Sequence, residues 1–136
     1  MGSRSISVLV ADDQENMRQL FARVLNSLGY SVDMSCDGRD CLIKFAQQRY
    51  DVVFLDLVMP EIDGETVLRW IRTHYPQTHV VVSSVQDDEE AIRTMLALGA
   101  TAYLVKPFTS QEIQNVMRGV ENRRTAAGLS MVAQSA

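Results

Sequence analysis

The centre of this chain is the stretch DVVFLDLVMPEIDG, residues 51–64. Its apolar run, Val52 to Leu55, is too short for a helix and rich in β-branched residues, which predicts a strand buried on both faces. The run ends at Asp56, and Pro60 with the Asp-Gly pair after it indicates a turn. A charge at the end of a buried strand is costly unless it has a partner or a task. Since ligands of open α/β sheets bind at the carboxyl ends of the strands, Asp56 is a candidate functional residue.

The length and composition are those of one globular domain. At 136 residues the chain can bury roughly two thirds of its unfolded surface in a single core. Its net charge of −4, from 17 acidic and 13 basic residues, argues against non-specific nucleic-acid binding, which needs a basic face. No apolar run is long enough to span a membrane, and the N-terminus lacks the pattern of a signal peptide. We therefore expect a cytoplasmic protein in which Cys36 and Cys41 are reduced core thiols.

Five strand-like segments alternate with helical patterns along the chain. The strands are predicted at residues 6–11, 30–36, 52–55, 79–83 and 101–105. Five such units predict an α/β fold, with a five-stranded parallel sheet and helices on both faces. The expected strand order is 2-1-3-4-5, with a crevice between strands 1 and 3.

The helical segments carry caps and inward-facing apolar residues. Asn16 or Asp13 is expected to cap the first helix, and the last helix begins with a capping-box pattern at residues 109–112. The residues of the second helix that are expected to face the core are Leu42, Phe45 and Ala46.

Polar side chains follow four of the five predicted strands. Strand 1 is followed by Asp12 and Asp13, strand 3 by Asp56, strand 4 by Ser84 and strand 5 by Lys106. Because the carboxyl ends of parallel strands meet at one edge of a sheet, these groups are expected around one crevice. At about 5 Å and an effective dielectric of about 20, each carboxylate pair repels by about 3 kcal/mol, so the cluster needs a cation. Carboxylate oxygens without nearby His or Cys favour Mg²⁺, with Ca²⁺ or Mn²⁺ as alternatives.

This set of groups is suited to holding a phosphoryl group. A metal ion and Lys106 would neutralise its oxygens, Ser84 would donate a hydrogen bond, and Asp56 would attack phosphorus in line. No His, Glu or Cys at this edge offers a general base for other chemistry. The alternative is that these polar residues only cap helices and that Lys106 extends its ammonium group into solvent. The origin of the groups from four separate strands argues against this alternative.

With these motifs the chain resembles the receiver domains of bacterial two-component response regulators, such as the chemotaxis regulators. The motifs are Asp12-Asp13, Asp56 with Met59-Pro60 and Asp63-Gly64, Ser84, Gly99-Ala100, Tyr103 and Lys106-Pro107-Phe108. The resemblance implies a flavodoxin-like (βα)5 fold. We expect an N-terminal extension at residues 1–5, a receiver domain at 6–121, and a tail or linker at 122–136.

The resemblance also implies a phosphoacceptor signalling domain and not an enzyme. Asp56 would accept a phosphoryl group from a histidine kinase or a phosphotransfer protein, and Ser84 and Lys106 would contact the phosphoryl oxygens. Tyr103 would swing inward when Ser84 moves, changing the affinity of the face of helix 4, strand 5 and helix 5 for a partner protein or a fused output domain. The implied Mg²⁺ ligands are Asp13, Asp56, the backbone carbonyl of Val58 and, through water, Asp12.

Two positions depart from the common pattern of this family. Val85 stands where the family usually has Ala or Gly, and its branched side chain is expected to narrow access to Asp56. Val58 is apolar and cannot position water, while Gln86 is polar but uncharged.

Two other functions are alternatives for a chain with this fold and these carboxylates. A Mg²⁺-dependent phosphohydrolase that forms an aspartyl phosphate, of the haloacid-dehalogenase-like kind, needs a second Asp where this chain has Val58. A flavin-binding protein of the same fold needs a hydroxyl- and Gly-rich loop after strand 1, where Asp12 and Asp13 would repel its phosphate.

Overall fold

A computed structural model describes residues 5–129. Its strands are β1 (Ser7–Ala11), β2 (Ser31–Ser35), β3 (Val52–Asp56), β4 (His79–Ser84) and β5 (Ala102–Val105). Its helices are α1 (Glu15–Ser27), α2 (Gly38–Gln47), α3 (Gly64–His74), α4 (Glu89–Ala97) and α5 (Ser110–Leu129). All strand pairs are parallel and the order is β2-β1-β3-β4-β5, which confirms the predicted topology.

The central strand β3 separates two apolar layers. Successive side chains of a strand point to opposite faces of the sheet. Accordingly, Val53 and Leu55 pack in the layer that includes α2 and α3, whereas Val52 and Phe54 pack in the layer that includes α1 and α5. Every residue of β3 is buried, as the apolar run predicts.

Acidic residues cap three of the helices. The carboxylates of Asp37, Asp63 and Asp88 accept backbone N–H groups in the first turns of α2, α3 and α4. The predicted cap of α1 is wrong, because Gln14 occupies the N-cap position and its side chain makes no capping bond. Asp12 instead accepts the backbone N–H of Gln14 at 2.9 Å, so a site residue also organises the start of α1.

The second helix and its cysteine also differ from expectation. Cys41 and Phe45 are buried in α2, while Ala46 is exposed, so the inward stripe is rotated from the predicted one. Burial raises the pKa of the Cys41 thiol to about 12, which keeps it protonated. Cys36 is exposed in the loop before α2, so only one of the two thiols belongs to the core.

The structure describes only part of the two predicted terminal segments, residues 1–5 and 122–136. The α5 helix continues beyond residue 121 to Leu129. The rest of the predicted tail, and residues 1–4 of the predicted N-terminal extension, lie outside the described residues. Within residues 5–129, none of the helices combines the length and apolar character that a membrane crossing requires.

Candidate functional site

The carboxyl ends of β1, β3, β4 and β5 meet at one edge of the sheet. Ala11 pairs with Leu55, Asp56 with Ser83, and Ser84 with Val105. Because these parallel strands end in register, the residues at or just beyond their ends are brought together although they are far apart in sequence. One cavity of about 250 Å³ lies at this edge. Its lining residues are Asp13, Gln14, Asp56, Val58, Ser84, Val85 and Lys106.

Three carboxylates cluster at the base of this edge. One oxygen from each of Asp12, Asp13 and Asp56 lies within 4.8 Å of the others, as the strand-end pattern predicted. Asp12 and Asp56 are buried, whereas Asp13 is exposed. An all-oxygen set without His or Cys has the donor chemistry of a Mg²⁺, Mn²⁺ or Ca²⁺ site. The residues present therefore fit a divalent cation.

Lys106 lies between two of the carboxylates. Its Nζ is 3.1 Å from Oδ2 of Asp12 and 3.5 Å from Oδ2 of Asp56. The segment after Lys106 is anchored by Phe108, whose ring centroid is 5.2 Å from that of Phe21 in the core. One ammonium group thus offsets part of the repulsion among three carboxylates, and negative charge remains for a cation to neutralise.

The environment of Asp56 disfavours its ionised form. Burial, and after it the nearby Asp12 carboxylate, raise the pKa of Asp56 to about 6. The Val58 N–H, which donates to Oδ1 at 3.2 Å, and the Lys106 ammonium act in the opposite direction. A carboxylate held in this balance would be ionised more readily once another positive charge entered the cluster.

Ser84 and Tyr103 both contact the loop that follows β4. Ser84 is buried, and its Oγ accepts the backbone N–H of Gln86 at 3.1 Å. The half-buried Tyr103 donates its hydroxyl to the carbonyl of the same Gln86 at 2.9 Å. Ser84 lines the cavity and Tyr103 does not. The backbone of Gln86 therefore connects the two predicted switch residues.

A glycine permits the close approach of the loop after β3. The Gly64 N–H donates to the carbonyl of Leu57 at 2.9 Å. A Cβ on Gly64 would overlap the Asp56 carbonyl oxygen and come within 2.6 Å of the Leu57 Cα. Glycine is thus required where α3 begins against the end of β3, and it helps to position Asp56.

Two aspects of the cavity have no counterpart in the sequence pattern. Gln14 lines the cavity. An uncharged residue at the start of a helix has no sequence pattern that would mark it as a site residue. Val58 and Val85, which the sequence placed near Asp56, are 70% and 71% exposed. Loop residues have no periodicity, so no sequence signal could have indicated their exposure.

Comparisons with known proteins agree with this geometry. Residues 8–118 match the family model described as the response regulator receiver domain. The response regulator MprA of Mycolicibacterium vanbaalenii is 36% identical over 120 residues, which cover 88% of this chain and 52% of that protein. The chain spans about half the length of the curated relatives it matches.

Solved structures show the same fold. The chemotaxis response regulator CheY4 of Vibrio cholerae is 30% identical with a TM-score of 0.81, covering 86% of this chain and 99% of that one. A chain of the CheX–CheY–BeF3–Mg²⁺ complex from Borrelia burgdorferi is 27% identical with a TM-score of 0.82, covering 85% of this chain and 89% of that one.

Proposed function

The chain belongs to the response regulator receiver domain family, whose members are phosphoacceptor signalling domains, and from this premise we propose that Asp56 is its phosphoacceptor. The observation that carries the proposal is the position of Asp56 in the cavity, beside Lys106 and close to two further carboxylates. We take the receiver unit to be residues 6–121 and its catalysis to be limited to its own phosphorylation and dephosphorylation.

Lys106 and Ser84 are proposed to hold the incoming phosphoryl group. Lys106 is 11% exposed in its side chain and is already at the Asp56 carboxylate, so its charge is available where phosphoryl oxygens would lie. The Ser84 oxygen accepts a hydrogen bond from Gln86, which leaves its hydrogen to be donated to a phosphoryl oxygen. Asp56 then attacks phosphorus in line, and its Oδ forms the new bond as the donor's leaving group departs.

Mg²⁺ is the proposed cofactor of this reaction, with Mn²⁺ as a substitute. Asp13, Asp56 and the backbone carbonyl of Val58 are proposed as ligands, with Asp12 acting through water. When bound, the ion would neutralise phosphoryl oxygens during transfer. The charge left after Lys106 pairs with Asp12 and Asp56 supports a divalent cation here.

The output is proposed to be altered protein binding. Tyr103 and Ser84 are joined through the backbone of Gln86, so a movement of Ser84 towards a phosphoryl group would be transmitted to the Tyr103 ring. The face of α4, β5 and α5 would then change its affinity for a partner protein or a fused output domain. The proposed phosphodonor is a sensor histidine kinase or a histidine phosphotransfer protein.

A phosphohydrolase remains the weaker alternative. An acid or base beside the nucleophile would be needed for repeated turnover, and position 58 is an exposed valine. Steady turnover of a phosphate ester by the purified chain would favour this alternative over a signalling role.

Intact mass after incubation with acetyl phosphate and Mg²⁺ tests the acceptor. The parent chain is expected to gain one phosphoryl group, and Asp56→Asn to gain none while keeping its fold. Asp87→Asn, the same change at an exposed carboxylate before α4, is the matched control and should label like the parent. Labelling that persists in Asp56→Asn would refute the assignment.

A further inference from the structure

We propose that a cavity at the amino-terminal edge of the sheet binds a small organic anion with a planar ring, and that Arg49 holds the charged end of this ligand. The volume of the cavity is about 480 Å³, compared with about 250 Å³ for the cavity that Asp56 lines. Its walls are residues 49–51, which lead into β3, and residues 74–78, which lead from α3 into β4. The site is therefore at the opposite edge of the sheet from Asp56, and it is independent of the proposed phosphoacceptor role.

Hydrogen bonds between these segments fix the shape of the cavity. The Thr78 hydroxyl donates to the Tyr50 carbonyl at 2.8 Å, which ties the loop before β4 to the loop before β3. The Tyr75 hydroxyl donates to the carbonyl of Phe45 in α2 at 3.1 Å. Arg72 donates to the carbonyls of both Tyr75 and Thr78. The walls are thus formed before a ligand arrives, as in most small-molecule sites, whose volumes are about 300–1,000 Å³.

Arg49 supplies a cationic group that has no partner among the described side chains. It is exposed, and within that set its guanidinium takes part in neither an ion pair nor a hydrogen bond. The carboxylate in the lining belongs to Asp51, which accepts the backbone N–H of Ser7 at 2.9 Å and its hydroxyl at 3.3 Å. That carboxylate is therefore engaged with β1. A guanidinium binds carboxylate or phosphate oxygens through two parallel N–H groups, so the cavity suits an anion.

Rings supply the rigid apolar part of the lining. The Tyr75 ring lies 5.2 Å from that of Phe45 and 5.5 Å from that of Trp70, measured between centroids. The His74 imidazole stacks on Trp70 with centroids 4.6 Å apart. These contacts hold two rings of the lining in place, and Pro76 adds a third. Since aromatic rings favour stacked or edge-to-face contacts, the ligand that fits is a planar ring beside one anionic group. Aromatic carboxylates and nucleoside monophosphates share this chemistry.

Matched charged and neutral ligands test the site in magnesium-free solution with EDTA. The probes are indole-3-acetate with its amide, and adenosine monophosphate with adenosine. Acetate is added as an anion without a ring. Dissociation constants are measured on the whole chain by calorimetry, and backbone amide NMR shifts locate the site. EDTA removes the metal ion through which a nucleotide phosphate could bind beside Asp56.

At least one of the two ring anions is expected to bind with a dissociation constant below about 1 mM, and about tenfold or more tightly than its neutral partner. Acetate should bind at least about tenfold more weakly than indole-3-acetate. The largest shifts should fall at residues 49–51 and 74–78. Binding of only one ring anion would identify which of the two kinds of ligand the site takes.

Substitutions of arginine assign the charged contact. Arg49→Gln should remove the preference for the anion over its neutral partner, and Arg49→Lys should keep part of it. Arg39→Gln, at an exposed arginine in the first turn of α2, is the matched control and should bind like the parent. Failure of both ring anions to bind, equal binding of charged and neutral partners, or largest shifts around residues 84–86 would overturn the assignment of this cavity. So would a preference for the anion that survives in Arg49→Gln.

Discussion

In magnesium-free solution, replacing Asp56 by Asn is expected to stabilise the fold at neutral pH. Asp56 is 5% exposed, and burial followed by the neighbouring Asp12 carboxylate raises its pKa to about 6. Ionising Asp56 at neutral pH therefore costs free energy in the folded chain but not in the unfolded chain. Asn is nearly isosteric and cannot ionise, so the variant lacks that cost while it can still accept the Val58 N–H.

The size of the effect follows from the pKa of Asp56. The pKa rises from an ordinary 3.8 to about 6, and each unit is worth about 1.4 kcal/mol. The folded state binds the Asp56 proton more tightly than the unfolded state does. The parent therefore has the stability that comes from this proton in full below pH 4, and loses it as the pH rises through 6. The ceiling at neutral pH is about 3 kcal/mol, and allowing for relaxation around the site we expect a gain of about 2 kcal/mol for Asp56→Asn.

Urea unfolding in EDTA at pH values between 4 and 7.5 measures this gain. The difference in the free energy of unfolding between Asp56→Asn and the parent should be near zero at pH 4 and largest at pH 7.5. Asp63→Asn is the control, because the Thr66 N–H lowers the pKa of that carboxyl and its charge is favourable in the fold. A gain that is absent at pH 7.5, or equally large at pH 4, would refute the reasoning. Adding Mg²⁺ should stabilise the parent more than Asp56→Asn.

Three other predictions concern the rim and the base of the cavity. Val85→Ala is expected to speed labelling by acetyl phosphate because it opens the mouth; equal rates at matched Mg²⁺ would show that the mouth is not limiting. Val58→Asn should shorten the phosphoryl lifetime, up to about tenfold for about 1.4 kcal/mol, by ordering an attacking water. Decay followed after donor removal, with Mg²⁺ affinity unchanged, tests this, and a lifetime no shorter than the parent's would contradict it. Gly64→Ala should lower the free energy of unfolding by at least about 2 kcal/mol because its Cβ meets backbone. Gly119→Ala, in open space on α5, should raise it by about 0.5–1 kcal/mol, and equal urea midpoints for the two alanine variants would be evidence against the clash.

The N-cap of α1 is a feature that local sequence rules did not predict correctly. Asn16 and Asp13 have the composition of caps, yet the helix begins at Glu15 after an uncapped Gln14. Asp12 accepts the Gln14 N–H, and its other oxygen contacts Lys106, which is 94 residues away in sequence. The conformation of this turn is therefore governed by an ion pair with another strand end, which no local pattern contains.

The sequence alone was sufficient for the sheet, its strand order and the identity of the polar groups at its carboxyl edge. Buried strands and amphipathic helices have periodic patterns, and the rules for parallel crossovers convert their order into a topology. The tertiary structure was needed for the distances among those groups, for the pairing of Lys106 with Asp12 as well as Asp56, and for the exposure of Val58 and Val85. These features belong to loops and to contacts between distant segments, where side-chain direction depends on packing and charge and not on period.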